Sequence, residues 1–394
     1  MINFEYYNPV KIIFGVDESK RIGEVASQIG KTALVLSYDN INFMRKLIDN
    51  INELIAESGM KVFNLFNVTA NPMMSQVKAG IEICRENNVD VIIAVGGGSV
   101  MDAAKTIGIG AKYDGDPWDM FVHGNNDPYI PVDTIPTIMI PTLPATSSEM
   151  NNIAVITNDE TVEKSYIFNN IVYPKISIVD PKLTCSLPPY QTACGGVDAI
   201  SHMMEAYFNC VPDTPFQDRL QEGSIITIME LLPQVLKDPN NTSIRASIQW
   251  ASTLAWNGWL QAGAAPASPM HQIGHVLSSR FGVTHGASLG IVMPGFFKYV
   301  CGRRIERFAQ FGERVLFLNE ASQKETAYKA IEMFEKFIDS VGVQTKLSQV
   351  GITADKIEFI ASEVEKISCD KEGYLPSDPP VDREDIIKIL KLCL

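Results

Sequence analysis

Cysteine, basic charge and long apolar runs are all in short supply in this chain, and each shortage removes a class of function. The seven cysteines stand at 84, 185, 194, 210, 301, 369 and 393, odd in number and never as a CxxC pair. That spacing excludes a disulfide framework and a thiolate metal site, and it predicts reduced, mostly buried thiols in a reducing compartment. Lysine and arginine total 33 against 46 acidic residues, for a net charge of −13 and a pI near 4.9. Such a charge disfavours nucleic acid and anionic membranes, so neither is an expected partner. No apolar run is long enough to span a bilayer, and the opening MINFEYYNPVKIIFG carries polar groups too early for a signal-peptide core. The cytoplasm is therefore the expected compartment.

Histidine is scarcer still, with five in 394 residues, yet three of the five fall between Met270 and Gly286, in HQIGHVLSSRFGVTHG. His271 and His275 are four apart, hence on one face of a helix, and Gly282 is placed to end that helix and return His285 toward them. Upstream, Asp198 and His202 in GGVDAISHMMEAY repeat the four-residue spacing. Two helix faces and one turn then offer a carboxylate and imidazoles to a single cation, a donor set that suits Fe²⁺ or Zn²⁺. A lone histidine near another polar residue is ordinarily a core or surface residue. The two matched pairs, set among Ile200, Met203, Ile273, Val276 and Leu277, argue for the metal instead. His123, in DPWDMFVHGNN, reads as a loop residue, with Trp118 and Phe121 packing beside it.

At this length two domains are expected. Ala33–Ser37, Lys61–Phe66, Val89–Val95 and Thr137–Ile140 read as strands, with helical patterns at Ile41–Ser58 and Met74–Asn87. That alternation predicts a parallel sheet covered by helices, with ligands at the carboxyl ends of the strands. Residues Asn151–Asp180 look strand-like and are expected to extend the sheet in antiparallel fashion. After Asp180-Pro181 the apolar spacing turns helical, at Gln217–Lys237, Ile244–Gln261, around His271, Lys324–Val341, Ala354–Ser368, and from the cap Asp382 to Leu392. The boundary is expected near residue 185, giving an α/β nucleotide-binding domain over 1–185 and an all-helical metal-binding domain over 186–394. Cys369–Val381 reads as a loop with three prolines.

The third strand runs into Gly96, Gly97, Gly98 and Ser99 and then into VMDAAKTIGI. Glycines let a ligand touch the backbone, and the helix that follows presents N–H groups and a positive dipole end to a pyrophosphate. The turn is not the GxGxxG fingerprint, and a tight turn without a ligand is the competing reading. After the first strand, Asp39 in LVLSYDN is placed to accept from a ribose 2′-hydroxyl and to repel a 2′-phosphate, which points to NAD(H) over NADP(H). A helix N-cap is its alternative role.

With both motifs on the page, the chain resembles the iron-dependent, group III alcohol dehydrogenases, and within them the butanol dehydrogenase branch. The resemblance runs over essentially the full length, through GGGSVMDAAK at 96–105, IPTLPATSSEMNN at 140–152, VYPKISIVDP at 172–181, GGVDAISHMMEAY at 195–207 and HQIGHVLSSRFGVTHG at 271–286. It implies a fold like that of dehydroquinate synthase, and it implies that Asp198, His202, His271 and His285 bind the catalytic metal, typically Fe²⁺ and sometimes Zn²⁺. By the same resemblance His275 assists proton transfer near the nicotinamide without ligating the metal. Gly97, Gly98 and Ser99 would hold the pyrophosphate, Asp102 would lie beside the nicotinamide ribose, Thr142, Leu143 and Thr146 would line the nucleotide cleft, and Asn71 and Lys164 would add cofactor contacts. Two departures stand out. Relatives often carry a GTGSE-like segment where this chain has Ala145-Thr146-Ser147-Ser148-Glu149, and NADPH-using members are glycine-rich where Asp39-Asn40 stand here.

The expected chemistry is hydride transfer between NAD(H) and a short-chain primary alcohol or aldehyde such as butanol or butyraldehyde, in a cleft between the two domains, with the metal as Lewis acid on the substrate oxygen. Trp256, Met150, Asn152 and Phe168 are candidates for the substrate pocket, and a homodimer is the expected assembly. Three other readings compete. A sugar-phosphate cyclase of the same fold needs more Lys and Arg than the four in residues 195–290, a glycerol dehydrogenase is expected to show three metal ligands, and a metal- and nucleotide-binding module would show no turnover.

Overall fold

The computed structural model describes residues 1–40, 42–122, 126–209 and 211–394. His123, Cys210 and Ile41, the first residue of a predicted helix, lie outside the described residues. The chain divides into two compact units, one comprising Tyr7–Leu187 and Asn240–Gln249, the other Met1–Tyr6, Pro188–Pro239 and Trp250–Leu394. A parallel sheet with helices forms the amino-terminal part and helices alone form the carboxyl-terminal part, as the change of texture after Asp180-Pro181 predicts.

In the α/β unit the order is β1 (Lys11–Phe14), α1 (Ile22–Ser27), β2 (Thr32–Tyr38), α2 (Arg45–Glu57), β3 (Lys61–Val68), α3 (Met74–Asn87), β4 (Val91–Gly96), α4 (Gly98–Gly110), β5 (Thr137–Pro141), β6 (Ile153–Thr157), β7 (Lys164–Phe168) and β8 (Ile176–Val179). Six strands form one sheet in the order β1-β8-β5-β4-β2-β3, every pair parallel. Alternate residues of each strand face opposite layers. Leu34, Leu36, Ile92, Ala94 and Met139 bury themselves with Val77 and Ile81 of α3 and Val100 and Ile107 of α4. Their neighbours Ala33, Val35, Val91, Ile93 and Ile138 face Ile22 and Val25 of α1 and Ile48, Ile51 and Ile55 of α2. Burying each such isoleucine contributes ~2 kcal/mol, which is what seats α2 on the sheet.

The segment 151–180 differs from expectation. Its first two strands, β6 and β7, pair antiparallel with each other in a separate ribbon and do not extend the main sheet. Its third, β8, is a parallel member of that sheet, between β1 and β5. Lys105 accounts for the ribbon's position: its buried ammonium donates to the carbonyls of Asn151 and Ile153 at 3.0 and 2.8 Å, so β6 starts from a point fixed against α4.

The helical unit contains α5 (Pro189–Phe208), α6 (Pro215–Lys237), α8 (Pro269–Phe281), α9 (His285–Val300), α10 (Ile305–Val315), α11 (Gln323–Ser340), α12 (Ile357–Ser368) and α13 (Arg383–Leu392), while α7 (Thr242–Ala255) begins in one unit and ends in the other. Asp382 caps α13 by accepting from the N–H of Asp385 at 2.9 Å. Helix α9 is buried over almost its whole length. Among the described residues no helix is long and apolar enough to cross a membrane.

Candidate metal centre and nucleotide turn

Helix α5 is 20 residues long, and Asp198 and His202 sit on its buried side, 2 % and 8 % exposed. Helix α8 carries His271 in its first turn and ends at Gly282, whose φ of +68° is open to glycine at no steric cost. Thr284 then stands at the N-cap position of α9, which begins at His285. This stop and restart brings His285 Nε2 to 3.4 Å from Asp198 Oδ1, while His271 Nε2 lies 3.9 Å from the same oxygen. Asp198, His202 and His271 each offer one ligand atom within 4.8 Å of the other two.

Two atoms each ~2.1 Å from one ion lie at most ~4.2 Å apart; His271 and His285 meet that limit at Asp198 Oδ1, and His202 lies within 4.8 Å of Asp198 and His271. The His202 and His271 rings are 4.4 Å apart, and the His271 and His285 rings 5.5 Å. Burial, with the neighbouring His271, holds His202 well below the ordinary imidazole range, so it stays neutral and keeps a lone pair for a metal. One carboxylate with three imidazoles and no sulfur matches Fe²⁺ or Zn²⁺.

His275 is one turn further along α8, its ring 5.5 Å from that of His285 and 6.3 Å from that of His271. Trp256 faces the His202 ring at 5.8 Å. The other pocket candidates belong to the α/β unit: Met150 and Asn152 in the loop before β6, with Asn152 Nδ2 donating to Asn170 at 2.9 Å, and Phe168 at the exposed end of β7. A residue the spacing analysis passed over is Glu205, fully buried on α5. It accepts the backbone N–H of His271 at 2.8 Å and lies 3.1 Å from His271 Nδ1. Burial pushes its carboxyl well above the usual range, and the N–H groups of His271 and Met270 oppose that shift. Its sequence signal was the third step of the same helix face, seven residues after Asp198 and three after His202.

In the α/β unit, β2 and β4 are neighbours whose connections leave to opposite sides, β2 to β3 and β4 to β5. Such a switch in strand order opens a crevice at the carboxyl ends. Leu36 pairs with Ala94, so Asp39 and Gly97 leave their strands at the same level on either side of that crevice. Asp39 is exposed there, its N–H donating to Val68 at 3.0 Å.

The glycines are required by close approach. A Cβ on Gly98 would lie 2.6 Å from Thr146 Cγ2, and one on Gly97 would lie 2.7 Å from Tyr38 Oη and 3.5 Å from Leu143 Cβ. Thr146, Leu143 and the glycine turn are therefore in one place, with Thr142 joined to it by its N–H to the Gly96 carbonyl at 2.9 Å. The Gly97 N–H donates to the Tyr38 hydroxyl at 2.8 Å, and Val100 and Met101 bond back to the Gly97 carbonyl. Gly98 and Ser99 at the start of α4 are the donors that helix geometry leaves for an anion. The Ser99 hydroxyl donates to the Ala70 carbonyl. Beside it, Lys164 donates to Asn71 Oδ1 at 3.2 Å, which brings those two predicted contacts together.

Asp102 points into the protein. Its two oxygens accept from Ser148 Oγ at 2.6 Å and from the Val155 N–H at 3.0 Å, and burial raises its pKa against the pull of Lys105. Lys105, 1 % exposed, also donates to Ser148 Oγ and Asn151 Oδ1, both at 2.9 Å. Asp102 and Lys105 thus tie helix α4 to the segment 148–155, which follows directly on the loop of Leu143 and Thr146. Within that loop Ser147 holds φ +54°, a left-handed conformation uncommon for a residue with a side chain.

Known proteins resemble the chain over its full length. The chain is 36 % identical, over the whole of both sequences, to a probable NADH-dependent butanol dehydrogenase of Bacillus subtilis. It is 34 % identical to the NADPH-dependent aldehyde reductase YqhD of Escherichia coli, over 93 % of this chain and 94 % of the other. The crystal structure of NADH-dependent butanol dehydrogenase A from Thermotoga maritima superimposes with a TM-score of 0.94 at 33 % identity, covering 100 % of this chain and 99 % of that one. Residues 9–181 match the iron-containing alcohol dehydrogenase family and residues 192–394 the C-terminal part of the Fe-containing alcohol dehydrogenase family, so the chain belongs to the iron-containing alcohol dehydrogenases.

Proposed function

We propose that this protein interconverts short-chain primary alcohols and aldehydes, butanol and butyraldehyde among them, with NAD(H) as cofactor. The observation that carries the reading is the buried trio Asp198, His202 and His271 of the helical unit, with His285 Nε2 3.4 Å from Asp198 Oδ1 beside it. A divalent ion, Fe²⁺ or else Zn²⁺, supplies there a Lewis acid for the substrate oxygen, and NAD(H) supplies or accepts the hydride. Asp198 and the three imidazoles hold that ion, and the Trp256 ring lies 5.8 Å from that of His202. Gly98 and Ser99 present their N–H groups to the pyrophosphate, Gly97 gives it room, and Thr142, Leu143 and Thr146 wall the turn. Asp39 receives the adenosine ribose hydroxyls and disfavours NADP(H). Asn71 and Lys164 add contacts to the cofactor, and Asp102 sets the loop that follows. His275 moves the hydroxyl proton at one of its ring nitrogens.

The same reading divides the work between residues 1–185, which take the cofactor, and 186–394, which take the metal. The cytoplasm is the proposed compartment, supported by six free thiols among the described residues. A homodimer is the proposed assembly, supported by the exposed apolar side chains of Met1, Ile2, Phe4 and Tyr7.

The test is direct. Protein reconstituted with Fe²⁺ without oxygen, given butanol and NAD, should generate the absorbance of reduced nicotinamide, and His271→Ala or His285→Ala should abolish both metal retention and turnover. Full metal content in either variant would remove the ligand assignment, and silence across a panel of alcohols and aldehydes would remove the activity.

A further inference from the structure

Helix α8 opens on Pro269, which suits a first helical position, but has no side-chain cap of its own. Ser268 stands at its N-cap, but the serine side chain makes no capping bond. The first N–H donors of a helix need acceptors when buried, and here a carboxylate from another helix provides one. Glu205 of α5 takes the His271 N–H at 2.8 Å and acts on the Met270 N–H as well. The same oxygen is 3.1 Å from His271 Nδ1, on the side of the ring away from Asp198, which Nε2 faces at 3.9 Å. Because that oxygen already accepts the His271 N–H, the ring contact to it is a donation as well, so Nδ1 carries the proton and Nε2 keeps the lone pair. One buried side chain thereby fixes the helix, the ring orientation and the tautomer.

We propose that Glu205 is a positioning residue of the metal centre, holding His271 with Nε2 toward the ion and strengthening it as a donor. This rests on the reading of His271 as a ligand. A mere cap and a positioning residue differ in what happens when the acceptor at Nδ1 is changed and the shape kept. Glu205→Gln keeps nearly the same volume and one carbonyl oxygen for the His271 N–H, but replaces the second carboxyl oxygen by an amide NH₂, which cannot accept from Nδ1–H.

The experiment measures Zn²⁺ affinity by chelator competition, and the absorption bands of Co²⁺ substituted at the site, in the full-length protein. Glu205→Gln should bind Zn²⁺ about 10- to 100-fold more weakly, with displaced Co²⁺ bands and a parental far-ultraviolet dichroism spectrum. Parental affinity with unchanged bands would overturn the proposal. Should the single variant not fold, Ser268→Asp is added to give α8 a local cap. Weak metal binding in the folded double variant supports the proposal, whereas parental affinity there would reduce Glu205 to a cap and sink it. His271→Ala, measured in parallel, keeps the two readings apart. Parental affinity in that variant would overturn the ligand assignment, while loss of affinity in His271→Ala alone would leave the ligand and overturn only the role of Glu205.

Discussion

Gly286 lies so close to Cys194 that a Cβ on it would sit 2.1 Å from the Cys194 carbonyl oxygen. The first turn of α9 is therefore pressed onto the backbone of α5, one turn before Asp198. The residue immediately ahead of Gly286 is His285, so this contact sets the distance between two of the proposed ligands. Gly286→Ala must push α9 outward, because backbone cannot yield as a flexible side chain would, and overpacking of this kind costs about 1–3 kcal/mol. Metal affinity should fall at least about tenfold, the equivalent of 1.4 kcal/mol. Gly282→Ala is the contrast. A Cβ there meets open space, so the cost is only the left-handed backbone, ~1 kcal/mol, and metal content should stay parental. Metal analysis and melting temperature of both variants check the pair; parental metal in Gly286→Ala would show that α9 has slack.

Gly282 was legible in the sequence because a helix stop needs a positive φ and glycine supplies it. Gly286 was not, because close packing of one helix on another leaves no mark in periodicity. The same distinction runs through the fold. β2, β3, β4 and β5 show as apolar runs between helical patterns, but β1, with four residues at a sheet edge, and α1, with six, are too short to show a period. Helix α9 is apolar on every side, so it has no polar face to give it a rhythm. In the site, Asp198 and His202 announce themselves by spacing and ligand chemistry. Glu205 continues their face, yet its function depends on reaching α8, a relation that only the tertiary structure holds.

Lys105 gives a prediction about pH. Burial pulls its ammonium down to about 8 from an ordinary 10.5, against the attraction of Asp102 and Glu149. Below pH 8 the folded and unfolded chains both carry the proton. Between 8 and 10.5 the unfolded chain binds one proton more than the folded one, so this group's contribution to stability increases as pH rises through that window. The melting temperature of the parent, measured relative to Lys105→Met, should accordingly climb between pH 7.5 and 9.5. A flat difference across that range would mean that the four acceptors around Nζ keep the ammonium charged throughout.

Asp39 bears on cofactor choice. It is exposed at the end of β2, level with Gly97 across the strand-order switch, where the ribose of a dinucleotide held at Gly98 and Ser99 would lie. A hydrogen bond from a ribose hydroxyl to a carboxylate contributes about 1.5–3 kcal/mol, and a 2′-phosphate in its place meets like charge. Asp39→Gly should lower kcat/KM for NAD(H) about tenfold or more while raising it for NADP(H). Kinetics with both cofactors decide the matter, and equal efficiency in parent and variant would show that Asp39 serves the turn alone.

His275 tests the division of labour among the histidines. It shares a helix face with His271, and its ring is 5.5 Å from that of His285, whereas His271 and His285 are the histidines with a ring nitrogen within 4 Å of Asp198 Oδ1 among the described ion pairs. If it moves a proton and does not grip the ion, His275→Ala should retain parental metal content and lower kcat about 10²-fold, the ordinary scale of acid–base assistance. Glu205 makes the contrasting case on the same helix pair: its variant should lose metal before it loses rate. A His275→Ala protein that lost its ion would place this side chain among the ligands, whereas one with both metal and rate intact would leave it a packing residue of α8.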